Sequence, residues 1–112
     1  MAVYKLLSAQ TTVTAAPPVA IQPTSNLAYL GPPAYQSFHI TVSGTGTVSA
    51  TVQIVGSNDG VNWVSMFSPQ VLNGTSPQNS KLANGPEPMT YFGAYVTAIS
   101  GTSAAVTVLM SC

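Results

Sequence analysis

Between Thr47 and Gly56, apolar Val48, Ala50, Val52 and Ile54 alternate with polar Ser49, Thr51 and Gln53. Strict period-two alternation places one set of side chains on each face of an extended strand, so this run reads as a β-strand with one buried face. Ahead of it Phe38, Ile40 and Val42 alternate with Ser37, His39 and Thr41. The connecting Ser43-Gly-Thr-Gly46 predicts a hairpin. Ser57-Asn-Asp-Gly60 is a turn sequence, because Asn and Gly accept positive φ at low cost. The run Val61 to Phe67 after it contains the sole tryptophan, Trp63, and predicts a second hairpin. Phe92, Ala94, Val96 and Ala98 alternate with Gly93, Tyr95 and Thr97; Ser100-Gly-Thr-Ser103 then leads into Ala104, Val106, Val108 and Met110, a third expected hairpin. The segments Thr41–Val52 and Ala98–Val108 echo one another, each with a Ser-Gly-Thr turn between Thr/Val-rich strands, which either convergent hairpin chemistry or an internal repeat accounts for.

No stretch has sustained helical periodicity. Residues 14–35 hold Pro17, Pro18, Pro23, Pro32 and Pro33, which break any central strand and favour an extended arm. Residues 68–90 hold four more prolines among Asn, Gly, Ser and Gln, and read as one long loop. The expected architecture is all-β: a single antiparallel β-sandwich, with a jelly roll as one form it can take. One domain is expected, with residues 1–35 as an N-terminal segment and Pro-rich arm and 36–112 as the sandwich body.

Charge narrows the function. Of 112 residues two are Lys or Arg, two are Asp or Glu, and the net charge is zero. A typical domain is about a quarter charged. Polarity here comes from 26 Ser and Thr with six Asn and six Gln. Such a surface tolerates close neighbours and gives little electrostatic steering. Two lysines cannot neutralise a run of phosphates, so no direct nucleic-acid binding is expected. The N-terminal apolar run is too short for a signal-peptide core or a membrane span, and synthesis in the cytoplasm without a membrane partner is the expectation.

The residues give little support for catalysis. Asp59 is explained as a turn residue and Glu87 lies between two prolines, so they make no acid/base pair. His39 sits on the polar side of a strand with no nucleophile elbow nearby. One His, one Cys (Cys112) and two carboxylates without ligand spacing predict no metal site, and no cofactor is expected. Asn73-Gly-Thr75 is a sequon but reads as a Gly-containing loop. Tyr4, Tyr29, Tyr35, Trp63, Tyr91 and Tyr95 are candidates for a sugar-stacking platform, although Trp63 reads better as a core plug. Tyr91 and Tyr95, opposite in parity to Phe92, Ala94 and Val96, are expected to be exposed or pressed against a second protein.

Ser57-Asn-Asp-Gly-Val-Asn-Trp63 and Tyr91-Phe-Gly-Ala-Tyr-Val-Thr-Ala-Ile-Ser-Gly-Thr102 together resemble small virion structural proteins of tailed bacteriophages. The resemblance covers Thr41 to Trp63 and Tyr91 to Met110. Gly93 and Tyr95 depart from it, since a basic residue and an Asn commonly hold those positions. The resemblance implies a cytoplasmically made, non-enzymatic protein of the virion, most like a capsid decoration or cement protein. Its implied partners are the major capsid protein and further copies of itself, as a dimer or trimer. A tail, head–tail junction or baseplate subunit, and a carbohydrate-binding module, are the competing expectations. The strands Phe38–Gly56 and Tyr91–Ser111 contain no lysine or glutamate, so their edges are expected to be unguarded and adhesive. The expected contact surface comprises Val3, Tyr4, Leu6 and Leu7 of the N-terminal segment, Leu27, Tyr29, Leu30 and Tyr35 of the arm, and Tyr91 and Tyr95. For the N-terminal and arm residues, packing onto the chain's own body is the open alternative.

Overall fold

A computed structural model describes residues 3–22, 36–84 and 89–111. The chain forms six strands, β1 (Val3–Gln10), β2 (Gln36–Ser57), β3 (Val64–Ser65), β4 (Gln70–Thr75), β5 (Gln78–Asn84) and β6 (Tyr91–Ser111), and no helix among the described residues. The all-β expectation is borne out. Every pairing between strands is antiparallel, in one continuous sheet.

The first and third expected hairpins do not form. β2 runs unbroken through Ser43-Gly-Thr-Gly46, β6 runs unbroken through Ser100-Gly-Thr-Ser103, and the two strands pair with each other from Ser37↔Ser111 to Ser57↔Tyr91. The echoed Ser-Gly-Thr segments lie opposite one another, with Thr45 facing Thr102 and the register shifting on both sides. They form a corner: Gly46, Gly101 and Ser103 take φ of 71°, 118° and 55°. Extra residues and positive φ bend a strand and sharpen its twist. A 22-residue strand would run roughly 70 Å if straight, whereas the longest dimension of the molecule is 47 Å. Phe38 and Phe92 lie near opposite ends of the ribbon, yet their ring centroids are 6.2 Å apart. The ribbon is therefore folded over at the corner, and its two halves enclose one core.

The core follows the alternation. Phe38, Ile40 and Val42 with Val106, Val108 and Met110 come from one half; Val48, Ala50, Val52 and Ile54 with Phe92, Ala94 and Val96 come from the other. All are essentially without solvent exposure. Phe67 closes the side of this core, edge-on to Phe38 at 5.8 Å. The free flank of β2 is filled in turn by β5 (opposite 36–42), β4 (opposite 47–52) and β3 (opposite 55–56). The β2–β3 connection is the expected second hairpin, whereas the long loop expected over 68–90 contains β4 and β5. Each of these strands is bonded to β2 on one side, and they give the core only the buried Leu72 and the half-buried Leu82, so their sequences carry no apolar alternation. The sequon Asn73-Gly-Thr75 lies in β4 rather than in a loop.

β1 adds to the outer side of β6 in the first half. Leu6 is the extra residue of a bulge between Lys5↔Leu109 and Leu7↔Val108. The bulge lets two consecutive leucines both turn inward, and each is buried. Residues 3–10 thus belong to the sheet, although the sequence places them with the arm. Further on, Thr14 donates to the Val96 carbonyl and Ile21 exchanges both main-chain hydrogen bonds with Phe92. This part of the Pro-rich segment lies along the second half of the same sheet.

The corner distinguishes two kinds of glycine. A β-carbon on Gly44 would lie 2.7 Å from the Thr102 carbonyl oxygen and 2.8 Å from Val48 Cγ1, while one on Gly46 would meet nothing within 4 Å. Gly44→Val is expected to cost about 1–3 kcal/mol through overpacking, and Gly46→Ala about 1 kcal/mol through its positive φ alone. Urea unfolding of the two variants checks this order.

Candidate functional site

Ser57–Trp63 and the start of β6 meet at the end of the second half of the sheet. Asp59 organises the first of them. Its Oδ1 accepts from the Ser57 hydroxyl and from the amides of Val61 and Asn62, each at 2.8 Å, and its Oδ2 accepts from the Asn62 side-chain amide at 2.8 Å. The Ser57 hydroxyl in turn accepts from the amides of Asp59 and Gly60. The Asn62 amide, then that of Val61, then the side chains of Asn62 and Ser57 hold the Asp59 carboxyl well below the usual carboxylate range. The carboxylate therefore acts as the bracket of its own loop.

This loop is set down on the start of β6. A β-carbon on Gly60, whose φ is +76°, would lie 3.4–3.5 Å from the Tyr91 ring. Asn58 Oδ1 accepts from the Thr90 amide at 3.3 Å. A β-carbon on Gly93 would lie 2.6 Å from Pro17 Cβ and 3.3 Å from Trp63 Cζ3. Pro17 and Trp63 thus cover the outer surface of the sheet at Gly93, where β6 has no side chain. A longer side chain at 93 has no room here. Trp63 is a packing residue, as expected, but on the outside of the sheet rather than in the core. Beside it Ser57, Asn58, Asp59, Asn62, Val64 and Met89 line an open depression of about 310 Å³.

Two outer faces remain. On the second half, Ser49 faces Ser100 and Thr51 faces both Ala98 and Val71, giving a strip of small neutral side chains. Val71 in this strip is 66% exposed, and Val61 on the adjacent loop is 75% exposed. On the first half, a single cross-strand row runs Lys5, Leu109, His39, Lys81. Both lysines of the chain and its one histidine stand in that row. Each lysine lies on a strand that flanks the long pair, β1 or β5.

That arrangement corrects the expectation of adhesive edges. The charge-free run Phe38–Gly56 lies in β2, flanked by β6 on one side and by β5, β4 and β3 on the other, so its lack of charge reflects enclosure; β6 is flanked on its outer side by β1 along Val106–Ser111 and bonded from residues 14 and 21 at Val96 and Phe92. The candidate contact residues are dispersed. Val3 is exposed near the start of β1, Tyr4 is half-buried against the core opposite Met110, and Leu6 and Leu7 are committed to the core. Leu27, Tyr29, Leu30 and Tyr35 lie outside the described residues. Tyr91 and Tyr95 are half-exposed on the outer face of the other half, opposite Ser57 and Gln53. The sequence marks Pro17 as an arm residue, Gly60 as a turn residue and Gly93 as part of a strand, but their meeting depends on a register that no local pattern reveals. Among the described residues no three His, Cys, Asp or Glu side chains come together. No family model, curated protein or solved structure matches the chain.

Two predictions concern this cluster. Gly93→Ala is expected to displace Pro17 and Trp63, shifting the emission of the sole tryptophan to the red and lowering stability by about 1–3 kcal/mol; unaltered emission would contradict the packing. Because the Asp59 carboxyl is lowered on folding, its contribution is complete above the unfolded value of about 3.9 and is lost as pH falls toward the folded one. Asp59→Asn is therefore expected to be less stable than the parent at neutral pH, with the difference narrowing below pH of about 4, as read by thermal unfolding across pH.

Proposed function

We propose that the chain is a non-enzymatic structural subunit of a virus particle, a decoration or cement protein that binds the outer capsid surface and stabilises contacts between neighbouring shell subunits. The observation that carries this reading is the convergence of Ser57–Trp63 and Tyr91–Thr102. The two segments that resemble phage virion proteins are far apart in sequence, yet they build one structural unit, with Gly60 against Tyr91 and Trp63 against Gly93.

The outer face beside that unit supports the same reading. Its side chains are small and neutral, with Ser49 and Thr51 half-buried and Val71, Ala98 and Ser100 exposed. A face of this kind binds through shape and apolar contact, and association through it is weakly dependent on salt. The major capsid protein is the proposed partner, and the virion surface the proposed location. Trp63, held against Gly93 beside Pro17, serves as a cover for the sheet in this account.

Cosedimentation of the purified chain with capsids that lack it, at low and at high salt, tests the proposal. Saturable binding at a fixed ratio to the major shell protein, little changed by salt, is the expected result. Ala98→Arg is expected to weaken that binding at least tenfold while leaving the far-ultraviolet circular dichroism unchanged. No binding would overturn the proposal, and a few copies per particle would replace it with a tail, head–tail junction or baseplate position.

A further inference from the structure

The strand edges are protected unequally. β1 carries Lys5 and two register shifts, with Ala9 at φ of 49°. β5 carries Lys81 at its centre, opposite His39. The first part of β6 is covered by residues 14–21 through the Val96 and Phe92 hydrogen bonds. β3 is two residues long. These are the usual ways by which a sheet edge is kept from pairing with another chain. β4 has none of them: its six residues are uncharged and pair with β2 in unbroken register from Thr47↔Thr75 to Val52↔Gln70. Its far side has no strand partner among the described residues.

The register also fixes which main-chain groups of β4 face outward. The Ser76 amide donates to the Gly46 carbonyl at 2.8 Å. Opposed pairs in an antiparallel ladder alternate between bonded and non-bonded. Counting from Gly46 opposite Ser76, the bonded pairs are Val48 with Gly74, Ala50 with Leu72, and Val52 with Gln70. The amide and carbonyl groups of Val71, Asn73 and Thr75 therefore point away from β2. The three side chains share the exposed outer face.

We propose that the free edge of β4 binds a second copy of this chain, the two β4 strands pairing antiparallel about Asn73 so that their sheets run on as one. In that register Asn73 lies opposite its own copy and Val71 opposite Thr75; the Thr75 carbonyl already accepts from the Gln78 side-chain amide at 2.6 Å, so about four main-chain hydrogen bonds form without displacing that side chain. No charged residue faces another, whereas self-pairing of β5 about its centre would set Lys81 against itself, which is unfavourable. The exposed Val71 gains the Thr75 methyl as a cross-strand neighbour, and Leu72 faces Gly74, which leaves it room. Pro69 and Pro77 limit the length of the contact. A two-fold contact of this kind is self-complementary and closes at two copies. This inference does not depend on the capsid reading.

Sedimentation velocity of the full chain over a wide range of concentration tests it, beside three variants. Asn73→Pro removes an outward amide and no bond to β2; Asn73→Lys sets like charges opposite one another; Val3→Lys alters the unrelated β1 edge. The expected result is a dimer that dissociates on dilution, unchanged in Val3→Lys and weakened at least tenfold in both Asn73 variants, with their circular dichroism spectra unchanged. If Asn73→Pro does not fold, Asn73→Lys decides. A monomer at every concentration, a trimer, or a dimer undiminished by Asn73→Lys would overturn the proposal.

Discussion

The pairing of β2 with β6 along almost the whole of both strands is the constraint on which everything else depends. A ribbon this long, apolar on one face throughout, cannot stay straight in water, because that face would remain exposed over both halves. Folding at the Gly44–Gly46 and Gly101 corner turns the face on itself and removes it from solvent. The hydrophobic effect supplies the drive, and the glycines supply a backbone that can turn where a β-carbon would strike Thr102 or Val48. The remaining strands then fit the available positions. β5 and β4 each flank β2 on one side of the corner, joined by a short turn at Ser76-Pro77, and β1 flanks β6.

The same constraint determines where polarity and charge are found. The enclosed β2 carries no lysine or carboxylate, while Lys5 and Lys81 stand on the flanking strands β1 and β5. Asp59 serves its own loop, holding Ser57, Val61 and Asn62 with hydrogen bonds, so one of the few carboxylates is spent on geometry. What the folded sheet presents outward is then largely Ser, Thr, Ala and Val, with one cationic row on the first half. A surface of this kind offers shape and apolar contact rather than charge, and that is the physical basis on which we propose a place in an assembly.

The strand content was legible because alternation is local: Phe38, Ile40, Val42, Val48, Ala50, Val52, Ile54, Phe92, Ala94, Val96, Val106, Val108 and Met110 all point inward as their parity predicts. The connections were not. Ser43-Gly-Thr-Gly46 is chemically a good hairpin turn, and the choice between a turn and a corner is made by the partner strand some sixty residues away. β4 and β5 were hidden because edge strands that give the core little beyond Leu72 and Leu82 look like loops. Lys5 and His39 gave no sign that they share a row, since register is a property of pairs of strands. Of the candidate surface, the outward parity of Tyr91 and Tyr95 was readable, but the loss of Leu6 and Leu7 to the core was not, because it needed a bulge that breaks the alternation.

The most direct test of the folded ribbon is a set of proton–proton nuclear Overhauser effects in solution. The account predicts cross-strand contacts of Ile40 with Val108 and of Ile54 with Ala94, together with a contact between the Phe38 and Phe92 rings. Contacts of Val42 with Thr47 and of Ile40 with Ser49, the pattern of a closed hairpin at Ser43–Gly46, would contradict it.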